Sequence, residues 1–234
     1  MRNRVFLLAA GLAMFAQAHA FSPERPDEND SLIRLQKPRF LVYYNIDKNA
    51  PALVLWSLSA SDLGNFSRPT SQTFLIDPEC PRPRAKSSDF TRSGYQRGHL
   101  CPSADRSVSA LLMRATFVMS NVAPMSPVLN MQGFAQSEER SRHIARSGHR
   151  CMMVAGSIFS HDSILCLARS SVGIPDSFFR ACIVPDDTAL SIYWLFPNDS
   201  QVTRETPYRV PRYRFVATLR HKVKNILDEL AKLW

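Results

Sequence analysis

Runs of apolar residues, separated by polar breaks, set out the elements of the chain. Six stretches are rich in Val, Ile, Phe, Tyr and Trp: Phe40–Ile46, Ala52–Ser59, Ala115–Val122, Cys151–Phe159, Phe178–Val184 and Ala189–Phe196. Pro, Asn, Asp or Ser bounds them. β-Branched and aromatic side chains suit a pleated, half-buried surface, so each stretch predicts a strand. Residues 130–146 lack Pro and β-branched runs and carry charge, which predicts a helix. A further helix is predicted over 219–233, where Leu219, Val223, Ile226, Leu227, Leu230 and Leu233 fall on one apolar face. Strands and helices mix without βαβ regularity. The pattern predicts a single α+β domain with a largely antiparallel sheet and flanking helices.

The N-terminal segment reads differently. Residues 1–20 place Arg2 and Arg4 before the short apolar run Val5 to Ala16, then close on Ala18-His19-Ala20. A positive start, an apolar middle and a small-x-small end predict a signal peptide cleaved after Ala20. The apolar run is well short of the ~20 residues that a membrane span needs. Residues 21–37 are polar and Pro-containing and predict a flexible N-terminal lead, with the folded domain over 38–234. The mature protein is therefore expected to be secreted or periplasmic.

Composition narrows the class. Of 234 residues, 45% are hydrophobic and 21% charged, which excludes a disordered chain. Lys and Arg total 29 against 20 Asp and Glu, a net charge of +9. Such a chain attracts polyanions, which suggests partners and leaves the chemistry open. The five cysteines, Cys80, Cys101, Cys151, Cys166 and Cys182, form no C-x-x-C pair. A structural zinc site is not expected. An oxidising compartment permits bridges, and an odd count leaves one thiol over in any monomer.

The chemistry concentrates in Ser93-Gly94-Tyr95-Gln96-Arg97-Gly98-His99-Leu100-Cys101-Pro102-Ser103-Ala104-Asp105-Arg106. His99 has the side chain best suited to proton transfer near neutral pH. Arg97 can hold a phosphate oxygen in fork geometry. On composition alone a solvated loop histidine is the commoner explanation. Cys101, two residues on, reads as a buried or bridged thiol rather than a redox sensor. A second cluster follows. Asn121 closes a strand-like run, Asn130 suits a helix N-cap, and Glu138 and Arg142 stand four apart. At 100° per residue Asn130, Glu138 and Arg142 share a face. A cap and a surface ion pair would explain them equally well. Asn and Glu oxygens would also suit a hard cation such as Mg²⁺, which keeps most of its waters.

Together these segments resemble the DNA/RNA non-specific endonucleases, including the sugar-non-specific nucleases of bacteria and the endonuclease G relatives. Tyr95-Gln96-Arg97-Gly98-His99 resembles that family's Asp-Arg-Gly-His signature. Ser120-Asn121 matches its Thr-Asn strand end, and Pro124-Met125 its Pro-Gln pair. Asn130-x-x-x-Phe134-x-x-Ser137-Glu138-x-x-x-Arg142 keeps the spacing of Asn-x-x-x-Trp-x-x-Leu-Glu-x-x-x-Arg. Val154-Ala155-Gly156-Ser157 and Ile174-Pro175-Asp176-Ser177-Phe178-Phe179-Arg180 resemble Val-x-Thr-Gly-Pro and Val-Pro-Asp-x-Tyr-Phe-Lys. The resemblance covers roughly residues 52–200, and spacing kept over several motifs is more specific than any one of them.

The resemblance implies a ββα-metal, or His-Me finger, site acting on DNA and RNA with Mg²⁺ or Mn²⁺. It makes His99 the general base and Asn130 the direct metal ligand. Glu138 would hold metal-bound waters, Arg97 and Arg142 would neutralise charge, and Asn121 would orient the site or the water. It also leaves room for a protective inhibitor protein. Gln96 departs from the family Asp. The alternative is therefore a nucleic-acid-binding homologue of weakened activity.

Overall fold

The computed structural model describes residues 31–67, 73–81, 84–159, 165–168 and 170–222. The predicted signal peptide, and the predicted C-terminal helix beyond Lys222, lie outside them. Six strands make the main sheet: β1 (Leu32–Lys37), β2 (Phe40–Asn45), β3 (Ala50–Leu58), β6 (Cys151–Ile158), β7 (Ser177–Ile183) and β8 (Ile192–Pro197). They lie in the order β1-β2-β3-β6-β7-β8, and every neighbouring pair is antiparallel. A second sheet is the antiparallel pair β4 (Gln96–His99) and β5 (Val122–Met125). The α-helices are α1 (Ala110–Ala115), α2 (Ala135–Arg146) and α3 (Arg212–Lys222).

Period-two alternation sends side chains to two faces. Val42, Tyr44, Val54, Trp56, Met153 and Ala155 face β5 and α2, whose Ala123, Met125, Ile144 and Ala145 complete that core. Leu41, Tyr43, Leu53, Leu55, Val154 and Ala181 face the other way and pack with Phe215 and Leu219 of α3. Burial on both faces explains why the central strands read as nearly continuous apolar runs.

Four of the predicted strands lie where their sequences put them, with ends differing by a few residues. The predicted strand Ala115–Val122 is not formed. Ala115 ends α1, Met119–Asn121 make a 3₁₀ turn, and extended backbone begins only at Val122. The apolar character of that run comes from burial of Phe117 and Met119, not from strand pairing. The last predicted strand starts late because Thr188–Leu190 form a 3₁₀ turn, capped by the Asp187 carboxylate on the Ala189 N–H at 3.1 Å. Leu32–Lys37, read as part of a loose lead, instead form edge strand β1, with Ile33 and Leu35 facing the core.

Gly156 lies where β6 passes β3 and β7 most closely. A Cβ there would come within 2.2 Å of both the Ala52 carbonyl oxygen and the Phe179 ring. Because one of those atoms is backbone, the sheet itself would have to move. Gly156→Ala is expected to cost about 2–3 kcal/mol by overpacking. A urea midpoint equal to wild type would show that the sheet absorbs the methyl group.

Candidate active site

The short hairpin β4–β5 carries His99 at its end. Gly94 turns the chain into β4 with φ +82°, and Gly98 admits the Met125 side chain, whose Cβ would lie 2.7 Å from any added methyl. His99 pairs with Val122 across the hairpin. Its ring packs edge-on against Phe117 at 4.8 Å and at a 41° tilt against Phe74 at 5.0 Å between centroids. Phe74 is fixed because its neighbour Leu75 exchanges backbone hydrogen bonds with Phe117 and Met119. Sequence patterns gave Phe74 no role.

Asn121 is fully buried and holds the chain just beyond His99. Its Nδ2 donates to the carbonyls of Cys101 and Thr116, both at 2.9 Å, and its Oδ1 accepts from the Cys101 N–H at 2.9 Å. The Leu100 N–H donates to the Asn121 carbonyl at 3.0 Å. The amide is thus used up on the backbone of Cys101 and Thr116. The Cys101 thiol is fully buried, and burial pushes its pKa up to about 12. A thiol in that state is a poor nucleophile. Cys80, Cys151 and Cys182 are likewise buried as free thiols.

Asn130 does not cap a helix. The helical run begins at Pro127, where Ser126 serves as the cap: its hydroxyl accepts from the Leu129 N–H at 3.3 Å. Asn130 lies inside a π-helical turn, Leu129–Phe134, that leads into α2. Such turns recur at functional sites, and they break the uniform 100° step that placed Asn130 on a common face with Glu138. The Asn130 Nδ2 donates to Gln96 Oε1 at 2.7 Å. That bond ties the helix to the hairpin and turns the Asn130 carbonyl away from Gln96.

Arg97 leans on the carbonyl of Ser87 through two N–H groups. Its guanidinium stacks over Phe90 at 5.5 Å and Phe74 at 6.0 Å. Arg142 is held by carboxylates: Asp105 at 3.0 Å, Glu139 at 2.9 Å and Glu138 at 3.6 Å. Asp105 is fully buried and also accepts from Trp56 Nε1 at 3.0 Å. Burial raises the Glu138 carboxyl to about 7, against the opposing pull of Arg180 and Arg142.

Among the described residues no group of three His, Cys, Asp or Glu side chains is placed to hold a metal ion. The Asn130 carbonyl, its amide nitrogen committed to Gln96, is an oxygen of the kind a hard cation takes while keeping its waters. No helix among the described residues is long and apolar enough to cross a membrane.

Residues 18–226 match the family model of the DNA/RNA non-specific endonucleases. The chain is 30% identical over 173 residues to a nuclease of Nostoc sp., covering 73% of this chain and 61% of that protein. It is 32% identical over 110 residues to human mitochondrial endonuclease G, covering 43% and 37%. It thus spans less than two thirds of the length of these relatives. The solved EndoG/EndoGI complex, described as the mechanism of EndoG inhibition, matches with a TM-score of 0.69 at 17% identity. That match covers 82% of this chain and 83% of its counterpart, and it shows a shared fold.

The raised Glu138 carboxyl makes a testable statement about stability. The unfolded group titrates near 4.5 and the folded one near 7. Stability from this group is complete below the unfolded pKa and is lost as pH rises through the folded one. In metal-free protein Glu138→Gln should match wild type below pH 4.5. Above pH 7 the variant should be more stable by on the order of 1–3 kcal/mol. Urea unfolding in EDTA at pH 4 to 8 measures this, and a pH-independent difference would contradict the burial argument.

Proposed function

We propose, from the premise that this chain belongs to the DNA/RNA non-specific endonuclease family, that it is an exported Mg²⁺-dependent endonuclease cleaving DNA and RNA. The observation that carries this reading is the Gln96–Asn130 hydrogen bond, which joins the strand of His99 to the helix of Asn130.

His99 is the general base that takes a proton from the attacking water. Its ring is held by Phe74 and Phe117, so the base is oriented before substrate arrives. The carbonyl of Asn130 would hold a Mg²⁺ or Mn²⁺ ion, with Glu138 holding waters around it. When bound, the ion supplies charge stabilisation at the scissile phosphate and the leaving 3′ oxygen. Arg97 contributes a fixed positive charge two residues before His99. Arg142, engaged by Asp105, Glu138 and Glu139, acts mainly by holding Glu138 in place. Contacts centred on phosphate carry no sequence information, and a chain that keeps a charge of +7 once Arg2 and Arg4 leave with the leader favours nucleic acid at low salt.

The leader over residues 1–20 supports a secreted or periplasmic location. The EndoG/EndoGI complex among its structural relatives motivates an inhibitor protein as a partner. A second reading, a homologue that binds nucleic acid with weakened activity, rests on Gln96. The bond from Asn130 to Gln96 speaks for an adapted residue instead, because the amide carbonyl fills the acceptor role a carboxylate would have.

Two experiments test these readings. His99→Ala should lower cleavage of plasmid DNA by about 10²–10⁴-fold while leaving DNA affinity unchanged. Wild type should lose cleavage in EDTA and regain it with Mg²⁺; turnover by the variant close to wild type would remove His99 from the mechanism. Gln96→Asp should increase cleavage at limiting Mg²⁺, since a carboxylate adds charge while still accepting from Asn130. The gain should shrink as Mg²⁺ saturates. A variant inert or worse at every Mg²⁺ concentration would favour Gln96 as the residue this site requires.

A further inference from the structure

Arg180 lies on β7 with no exposed surface. Its guanidinium carbon sits 5.3 Å from the Trp56 ring and 5.4 Å from the Phe134 ring. Its Nη1 reaches the Leu100 carbonyl, just after His99, at a long 3.5 Å. Its Nε and Nη2 are buried with no hydrogen-bond partner among the described residues. A full positive charge in that condition costs several kcal/mol unless charges nearby compensate it. A packing residue such as Met would fill the same space without that cost.

The compensation comes from one stripe of the helical run. Phe134, Glu138 and Arg142 follow at four-residue intervals, so they stand one above another on a single face. Arg180 packs on Phe134, and its charge also acts on the Glu138 carboxylate. Arg142 joins Glu138 to Asp105, and Asp105 accepts from the indole of Trp56. The Trp56 ring in turn packs against Arg180. Trp56, Asp105, Arg142 and Glu138 thus form a chain of contacts; Arg180 stacks on Trp56 at one end of it and acts on Glu138 at the other through charge, without an ion pair. Without Arg180, Asp105 and the Glu138 carboxylate would face the Arg142 guanidinium alone, which the exposed Glu139 also engages.

We propose that Arg180 is a positioning residue of the active site: it braces the backbone next to His99 and sets a buried positive charge against the helix turn that carries Phe134 and Glu138, which favours the carboxylate form of Glu138. This rests on the nuclease reading for its catalytic consequence, though not for the charge coupling itself.

The test is a double-mutant cycle of Arg180→Met with Glu138→Gln, with Arg180→Lys as the charge-retaining control. On plasmid DNA, Arg180→Met should lower kcat about 10–100-fold with KM within about threefold. Arg180→Lys should stay within about fivefold of wild type. In the Glu138→Gln background the further loss from Arg180→Met should be under about threefold. The same cycle read by urea unfolding in EDTA should show a smaller midpoint loss for Arg180→Met when Glu138 is already Gln. Additive losses in both readouts, or Arg180→Lys as damaged as Arg180→Met, would overturn the proposal in favour of simple packing. Should Arg180→Met fail to fold, Arg180→Gln takes its place in the cycle. If wild type cleaves nothing with Mg²⁺, the nuclease reading falls, and the unfolding cycle alone still decides whether Arg180 acts on Glu138.

Discussion

A buried carboxylate cannot be left alone, and the site is organised around that constraint at Asp105. An unpaired charge in this interior would cost several kcal/mol. Asp105 avoids it by taking the Trp56 indole from β3 and the Arg142 guanidinium from α2. Those bonds set where the helix stands on the sheet. They therefore set where Glu138 stands, one turn before Arg142. The 3₁₀ turn Ser103–Arg106 that carries Asp105 follows directly on Cys101, whose backbone Asn121 grips on both sides. One charge thus links the strand of His99 to the helix of Asn130 and Glu138.

Most of the polar groups around this centre position others. Asn121 spends both of its N–H donors and its carbonyl on backbone. Arg142 is surrounded by acceptors, and Arg97 is fastened to Ser87. On the proposed reading, the chemistry itself falls to His99 and the Asn130 carbonyl. The division is physically reasonable, because a base or an oxygen donor is only as effective as its orientation. The π turn at Asn130 contributes in the same way, by setting its amide in line with Gln96.

The sequence made the central sheet legible because doubly buried strands leave long apolar runs, and β2, β3, β6 and β7 fall on theirs. It misled at Ala115–Val122, where burial without strand pairing produces the same apolar signal. Hydropathy did not mark β4, whose Gln96-Arg97-Gly98-His99 is polar because the strand belongs to the site rather than the core; only the resemblance to a ββα-metal motif implied a hairpin there. Asn121, Asn130 and Glu138 stood out through motif spacing. Their roles did not, since an N-cap and a π turn differ in hydrogen bonding that no spacing reveals. Arg180 carried a signal that could have been read: a single charge in the apolar strand Phe178-Phe179-Arg180-Ala181-Cys182. A charge there demands a buried partner.

Two features at this spot work against stability. Glu138 is pushed to about 7 by burial, and Arg180 hides two N–H groups without partners. Apolar residues could replace both and keep the packing, as replaced buried ion pairs in other proteins show. The sheet beside them is filled that way, with Val42, Val54, Ala155 and Phe178 on the same face. Destabilising polar groups kept together in an otherwise apolar layer are best explained by what they hold in place. Here they lie beneath the junction of the His99 hairpin and the Asn130 helix. A buried charge with fixed compensating neighbours can be rigid without being neutral. It can therefore present a carboxylate at a fixed point while its surroundings disfavour that charge. A surface ion pair, screened by solvent and free to move, could not do this.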